Sequence, residues 1–214
     1  MFKINVGCGQ NPTLGWRNFD NPHSLWLARR PFLVRLLKSV RLINLPQLQF
    51  ILFARNNEIE YGDSTARLPI ADGQVAVLYT SHMLEHLDRA EADSFMREAR
   101  RLLKSGGVIR LALPDLRRLA ETYLRDGKAD AFLESTLLCT PRPRSFVTRL
   151  RLLLVGQRHH LWMYDGDSLC TLLKRHGFVD PMVLAPGKTT IADSHPLDLF
   201  ERASDSVYVE ATVP

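Results

Sequence analysis

Short apolar runs and amphipathic stretches alternate along this chain. Residues 4–6 form a brief apolar strand that runs straight into Gly7-Cys8-Gly9. A second strand is predicted at 16–19, ending on Asp20, and Pro12 and Gly15 break up the link between the two. Pro31 suits a first helical position. Leu33, Leu36, Leu37 and Val40 then recur at the spacing of a buried helix face, with Arg35, Lys38 and Arg41 on another. Pro46 is expected to end that helix, and an apolar run at 50–53 follows. Strands are predicted at 58–61, 75–80, 108–113, 178–184 and 206–212. Helical segments are predicted at 83–86, 90–103, 116–124 and 167–176. The 90–103 helix is expected to stop at Ser105-Gly106-Gly107, and the 167–176 helix to be capped by Asp167 or Ser168 and ended by Gly177. The 75–80 run is nearly all apolar, as in a central strand covered on both faces. Such alternation favours an α/β fold with a mostly parallel sheet. The chain reads as one domain over 1–214, with a basic helical insertion at about 22–56.

Charge changes this picture in two places. The net charge is +5, but residues 21–57 hold six basic residues (Arg29, Arg30, Arg35, Lys38, Arg41, Arg55) and no acid. Residues 135–164 hold five more (Arg142, Arg144, Arg149, Arg151, Arg158), again with no acid. These stretches suit an anionic partner, or helices with a solvated basic face. With no long apolar run, no transmembrane helix is expected. The early first strand argues against a signal peptide, and the three scattered cysteines against a disulfide framework. The expected compartment is the cytoplasm.

The first candidate chemistry is the glycine turn. Gly7 and Gly9 allow close backbone approach, and the Asp20 carboxylate can accept hydrogen bonds from ribose hydroxyls. A nicotinamide-dependent dehydrogenase would want a further glycine near residue 12, where Pro12 stands, and a full helix after it. His82-Met83-Leu84-Glu85-His86 fits H-x-x-E-H, a zinc-protease pattern. It directly follows a strand, and no third ligand segment accompanies it, so no metal is expected. Cys8 fits the turn as a small side chain and is given no redox role.

Taken in order, these pieces resemble a class I S-adenosylmethionine-dependent methyltransferase. N-V-G-C-G (5–9) is similar to the family's first motif. Gly62-Asp63 with Leu68-Pro69 is similar to the segment that contacts adenine. Y-T-S-H-M-L-E-H-L (79–87) and E-A-R-R-L-L-K-S-G-G (98–107) resemble the signatures of the group often called type 11. G-W-R-N-F-D, L-A-L-P-D-L and H-H-L-W-M-Y-D further resemble a small subfamily whose members often lie beside glycosyltransferases. The sequence departs from the family in its short first crossover, in Ala76, and in Ser105 where proline is usual.

The resemblance implies a Rossmann-like fold with a mostly parallel seven-stranded sheet, flanking helices and one antiparallel C-terminal strand. It implies S-adenosyl-L-methionine held by Val6, Gly7, Cys8, Gly9, Asp20, Asp63, Ser64, Ser81 and His82. An oxygen acceptor also needs a base at the strand ends, for which His82, His86, His160 and Tyr164 are the candidates. The acceptor is expected to be a small or glycan-related molecule, anionic or presented on an anionic surface, with peripheral membrane contact and no nucleic acid. The competing expectation is a protein that keeps the fold without turnover and binds a surface or partner through its basic helices.

Overall fold

The computed structural model describes residues 1–20, 25, 27–40, 42–43, 45–139 and 159–214. Its strands are β1 (Phe2–Val6), β2 (Arg17–Asp20), β3 (Ile59–Tyr61), β4 (Val75–Ser81), β5 (Leu103–Pro114), β6 (Val179–Leu184) and β7 (Ser206–Thr212). They form one seven-stranded sheet in the order β3-β2-β1-β4-β5-β7-β6. The pairs among β1 to β5 are parallel, and β7 runs antiparallel to both β5 and β6. The order reverses beside β1, and in open α/β sheets that switch point is where a ligand crevice opens. The helices are α1 (Pro31–Ser39), α2 (Leu45–Asn56), α3 (Arg89–Leu102), α4 (Leu116–Asp126), α5 (Ala129–Thr136) and α6 (Gly166–Arg175). Among the described residues no helix is long and apolar enough to cross a membrane.

Strand residues alternate between two cores, as the pleat requires. Leu78, Ile109, Leu111, Val207 and Val209 join Phe95, Met96 and Ala99 of α3 and Leu169, Leu172 and Leu173 of α6. Val77, Tyr79, Ala112 and Tyr208 face the other way and are covered by Trp16 and by Ile191 and Leu197 from the long loop before β7. A third cluster joins Leu25, Leu27, Ala28, Val34, Ile43, Ile51 and Ala54 to Ile59 of β3 and to Cys8 of the glycine turn. The α1–α2 region thus packs directly on the glycine turn.

The structure corrects several expectations. On α1 the inward positions are Val34, Leu33 and Leu37, while Leu36 and Val40 are 49% and 54% exposed. Pro46 lies in the first turn of α2 instead of closing α1, a place where its missing N–H costs nothing. Helix α3 ends at Leu102, and Ser105-Gly106-Gly107 falls inside β5. A Cβ on Gly107 would stand 3.1 Å from the Val75 carbonyl oxygen, so glycine there lets β5 pass close to β4. The cap of α6 is Asp165, whose carboxylate accepts from the Ser168 N–H while the Ser168 hydroxyl accepts from the Asp165 N–H. The second basic stretch, from Arg142 to Arg158, lies outside the described residues, as does Arg41.

Candidate active site

The link from β1 to β2 has no helix, and buried amides hold it instead. Asn5 Nδ2 donates to the Asn11 carbonyl and to Thr13 Oγ1, at 3.2 and 3.1 Å. Asn18 Oδ1 accepts from the Thr13 N–H at 2.7 Å, and its Nδ2 donates to the carbonyls of Thr13 and Trp16. These side chains satisfy backbone groups that a crossover helix would have paired. The sequence reading missed them; two asparagines inside apolar strands were the available signal.

The glycine turn sits on this frame. Gly7 and Gly9 have φ of 72° and 54°, where a Cβ is strained. A Cβ on Gly7 would also stand 2.5 Å from Met83 Cγ, whereas one on Gly9 would meet nothing within 4 Å. Open space therefore begins at Gly9. The turn's amides are spent internally. Gly7 and Cys8 donate to the Phe19 carbonyl at 2.8 and 3.2 Å, and Gly9 donates to Asp20 Oδ2 at 2.8 Å. A pyrophosphate would want those N–H groups directed at it, with a helix N-terminus behind them. Neither condition is met, whereas a ligand with ribose and no phosphate fits an open glycine beside a carboxylate. Thr80 Oγ1, buried near Gly7 at the end of β4, has no partner among the described residues and adds a polar atom to the same place.

The other expected cofactor residues lie at or just beyond the ends of β1, β3 and β4. Val6 is buried at the end of β1. Cys8 is buried, and burial first, then the negative Asp20, pushes its thiol far above the ordinary range, so it stays a protonated packing group. Asp63 follows β3 and is exposed; its Oδ1 accepts from the Thr65 N–H and hydroxyl at 2.8 and 2.7 Å, shaping the loop that holds Ser64. Gly62, just before it, has no room for a side chain between Leu68 and Phe19. Ser81 closes β4 and is half-buried. A separate cavity of about 650 Å³, lined by Leu25, Arg29, Arg55, Glu58 and Tyr61, runs along β3 and is not the glycine crevice.

Past β4 the chain turns sharply. His82 has φ of 49°, outside the regions a β-carbon favours. Arg202 donates to its Nδ1 and its Nε2 pairs with Ser206 Oγ, at 3.2 and 3.0 Å, so both ring nitrogens are committed. A single 3-10 turn, Leu84–His86, then carries Glu85 and His86. The segment from His159 to Tyr164 returns to this turn. Leu161 and Trp162 donate their N–H groups to the Glu85 carbonyl at 2.7 and 3.2 Å, and Tyr164 bridges to Asp115. Arg89 lies over the Trp162 ring and holds the segment to α3. The return brings His160 beside His86, ring centroids 5.1 Å apart.

Of the four candidate bases, His86 and His160 are therefore together, with His82 close by. Burial lowers the His160 pKa below the ordinary imidazole value, against the pull of Glu85, so the ring is neutral near pH 7. Tyr164 is buried, and burial raises its phenol, which keeps its proton. Asp115 serves as the cap of α4. The buried Glu85, at the centre of the cluster, was read only as part of the H-x-x-E-H spelling, for which no metal was expected.

The methyltransferase-domain family matches residues 43–111, a stretch that begins after the glycine turn and ends within β5. No curated protein matches the chain. Among solved structures, an S-adenosylmethionine-dependent methyltransferase from Thermotoga maritima is similar over 100% of this chain and 82% of its own, at 14% identity and a TM-score of 0.53. Another from Methanosarcina mazei is similar over 98% and 91%, at 13% identity and 0.52. A protein from Pyrococcus horikoshii is similar over 99% and 81%, at 15% identity and 0.51. At these identities the likeness is one of fold. Over residues 43–111 the chain matches the methyltransferase-domain family, and its fold is that of the S-adenosylmethionine-dependent methyltransferases it is similar to.

Proposed function

We propose that the chain methylates an oxygen of a small or glycan-related acceptor that is anionic or presented on an anionic surface. The observation that carries the oxygen assignment is the imidazole pair of His86 and His160, ring centroids 5.1 Å apart, just beyond β4. S-adenosylmethionine held in the crevice would supply the methyl group from its sulfonium, the sulfur keeping the electron pair of the broken S–C bond as a thioether. The residues of this chain hold the crevice and take up the proton. Gly7, Gly9, Asp20 and Asp63 seat the adenosine end, and Val6, Cys8, Ser64, Ser81 and His82 wall it. As the acceptor oxygen forms its bond to carbon, its proton passes to an imidazole Nε2 in the cluster. Tyr164, still protonated, is suited to donate a hydrogen bond.

The anionic part rests on charge. Arg29, Arg35, Lys38 and Arg55 stand on the α1–α2 region, which packs against Cys8 in the turn. Phe32, Leu36 and Val40 make an exposed apolar stripe beside them, 75%, 49% and 54% exposed, a pairing suited to a surface of anionic lipid. The glycan part rests on the subfamily resemblance alone.

The test is transfer of labelled methyl from S-adenosylmethionine to sugar nucleotides, glycolipids and small phenols, with the product atom found by NMR. An O-methyl product is expected, with a second-order rate constant that falls as salt rises, since the Debye length shrinks to about 3 Å at 1 M. Methyl found on nitrogen or carbon would end the oxygen reading. A flat salt profile would end the charge argument.

A further inference from the structure

Glu85 is 1% exposed, and neither of its carboxylate oxygens has a hydrogen-bond partner among the described residues. Such a group is costly to bury, because a charge removed from water needs either a donor or a cation. The atoms facing it supply neither. Glu85 Oε1 lies 3.3 Å from His82 Nδ1 and 3.9 Å from His160 Nε2. Arginine has no acceptor, so Arg202 is the donor to His82 Nδ1, and that nitrogen presents a lone pair. His160 and His86 give their Nδ1–H to the carbonyls of Thr136 and His159 at 2.8 and 3.0 Å. In a neutral ring this leaves Nε2 as the lone-pair nitrogen. Lone pairs from two elements far apart in sequence converge around a buried carboxylate.

We propose that Glu85, His86 and His160 hold a divalent metal ion, zinc being the species their chemistry best fits. One ligand atom from each of the three lies within 4.8 Å of those of the others, and bonds of about 2.0–2.2 Å would draw them closer. Two imidazoles and one carboxylate, with a fourth position left open, are a donor set zinc takes in catalytic sites. An Nδ1–H fixed on a main-chain carbonyl is the outer support that orients a ligating imidazole. The H-x-x-E-H spelling is not the helical version of that motif. His82 sits in a left-handed bend with both nitrogens engaged, and the third ligand comes from His160, carried in by the main-chain bonds to Glu85. This reverses the expectation of no metal, which failed to find a third ligand because none is nearby in sequence. For its role the site rests on the oxygen-acceptor reading: the cluster lies just beyond β4, and a metal there would bind an acceptor oxygen and make it acidic enough to lose its proton to solvent, in place of transfer to an imidazole Nε2 that the metal occupies.

The binding itself can be tested without cofactor or acceptor. The full chain is stripped with chelator, titrated with zinc against a chromophoric competitor, and its metal content measured by plasma mass spectrometry. About one zinc per chain is expected, with His86→Ala and His160→Ala losing it while keeping the native circular dichroism. No zinc uptake by the folded protein, or uptake unchanged in both variants, would overturn the site. Should the variants fail to fold, diethyl pyrocarbonate labelling of the unsubstituted chain decides the matter. Zinc should shield His86 and His160 and leave the exposed His195 as reactive as before; equal labelling of all three with and without zinc overturns the proposal. A negative result in either arm leaves oxygen methylation standing with an imidazole base. A failed acceptor screen leaves the zinc result untouched.

Discussion

Asp20 accepts the Gly9 N–H at 2.8 Å, which sets the shape of the turn, and under the proposed function the same carboxylate would also receive the ribose hydroxyls. Asp20→Ala is expected to weaken S-adenosylmethionine by about 1.5–3 kcal/mol, the range for a hydrogen bond to a charged group. Isothermal calorimetry checks this, and an unchanged Kd would remove the ribose role. At this scale the sequence was legible where backbone geometry demanded a residue type. Gly7 and Gly9 had to be glycine, and Asp20 ends its strand. It was not legible where a residue's meaning lies in what faces it. Met83 blocks the space beside Gly7, and nothing in the spelling of residues 81–87 says that its thioether stem fills that gap. Glu85 likewise became conspicuous only when its surroundings were known.

At the scale of elements, caps and faces explain where the expectations moved. Asp165 caps α6 through the Ser168 N–H, and that bond leads the causes holding its carboxyl below the usual range. Asp165→Ala should cost about 1 kcal/mol, with 0.5–2 as the span for lost caps. The native carboxylate is the stabilising form, so its contribution is present above the ordinary carboxylate range and is lost as pH falls through its lowered folded value. Urea melts of the two proteins at pH 7 and in acid check this; the gap should narrow in acid, and a gap that widens would contradict the assignment. Asp167 and Ser168 were read as the cap because they stand nearest the apolar run, whereas the capping box uses Asp165 and Ser168 together. On α1, periodicity fits more than one face. Leu33 and Leu37 go inward in both readings, but packing on Ile59 and Cys8 selects Val34 over Leu36 and Val40.

The whole molecule is tied across the β5–β7 pair by a buried ion pair. Arg110 of β5 and Glu210 of β7 are 0% and 1% exposed, with Nη1 and Oε1 2.6 Å apart. Thr189 and Thr190 of the long loop donate to the same carboxylate, and Arg110 reaches the Lys188 carbonyl. Burial raises the Glu210 pKa, but these hydrogen bonds outweigh it and leave the group below its ordinary value. The pair thus fastens the loop that covers the Trp16–Tyr79–Tyr208 face. Glu210→Ala leaves a buried guanidinium without its counter-charge and should destabilise the fold by about 3–5 kcal/mol. Replacing both partners with apolar residues should recover much of that loss. Chemical denaturation of the single and double variants measures it, and a single variant within 1 kcal/mol of the parent would show that water reaches the pair.

The sequence by itself determined what repeats locally. It carried the strand and helix alternation, the glycine turn and the acid at the end of β2, because each depends on the pleat, the helical turn or the steric needs of a few neighbouring residues; the antiparallel last strand was implied by the family resemblance alone. The tertiary structure decided what depends on segments meeting. It set which side of α1 is buried, how the link between β1 and β2 is held by Asn5 and Asn18, and that a loop covers one face of the sheet. It also brought His160 back to Glu85 and His86. Such pairings have no signature along the chain, since they are fixed by hydrogen bonds and packing between residues that only folding makes neighbours.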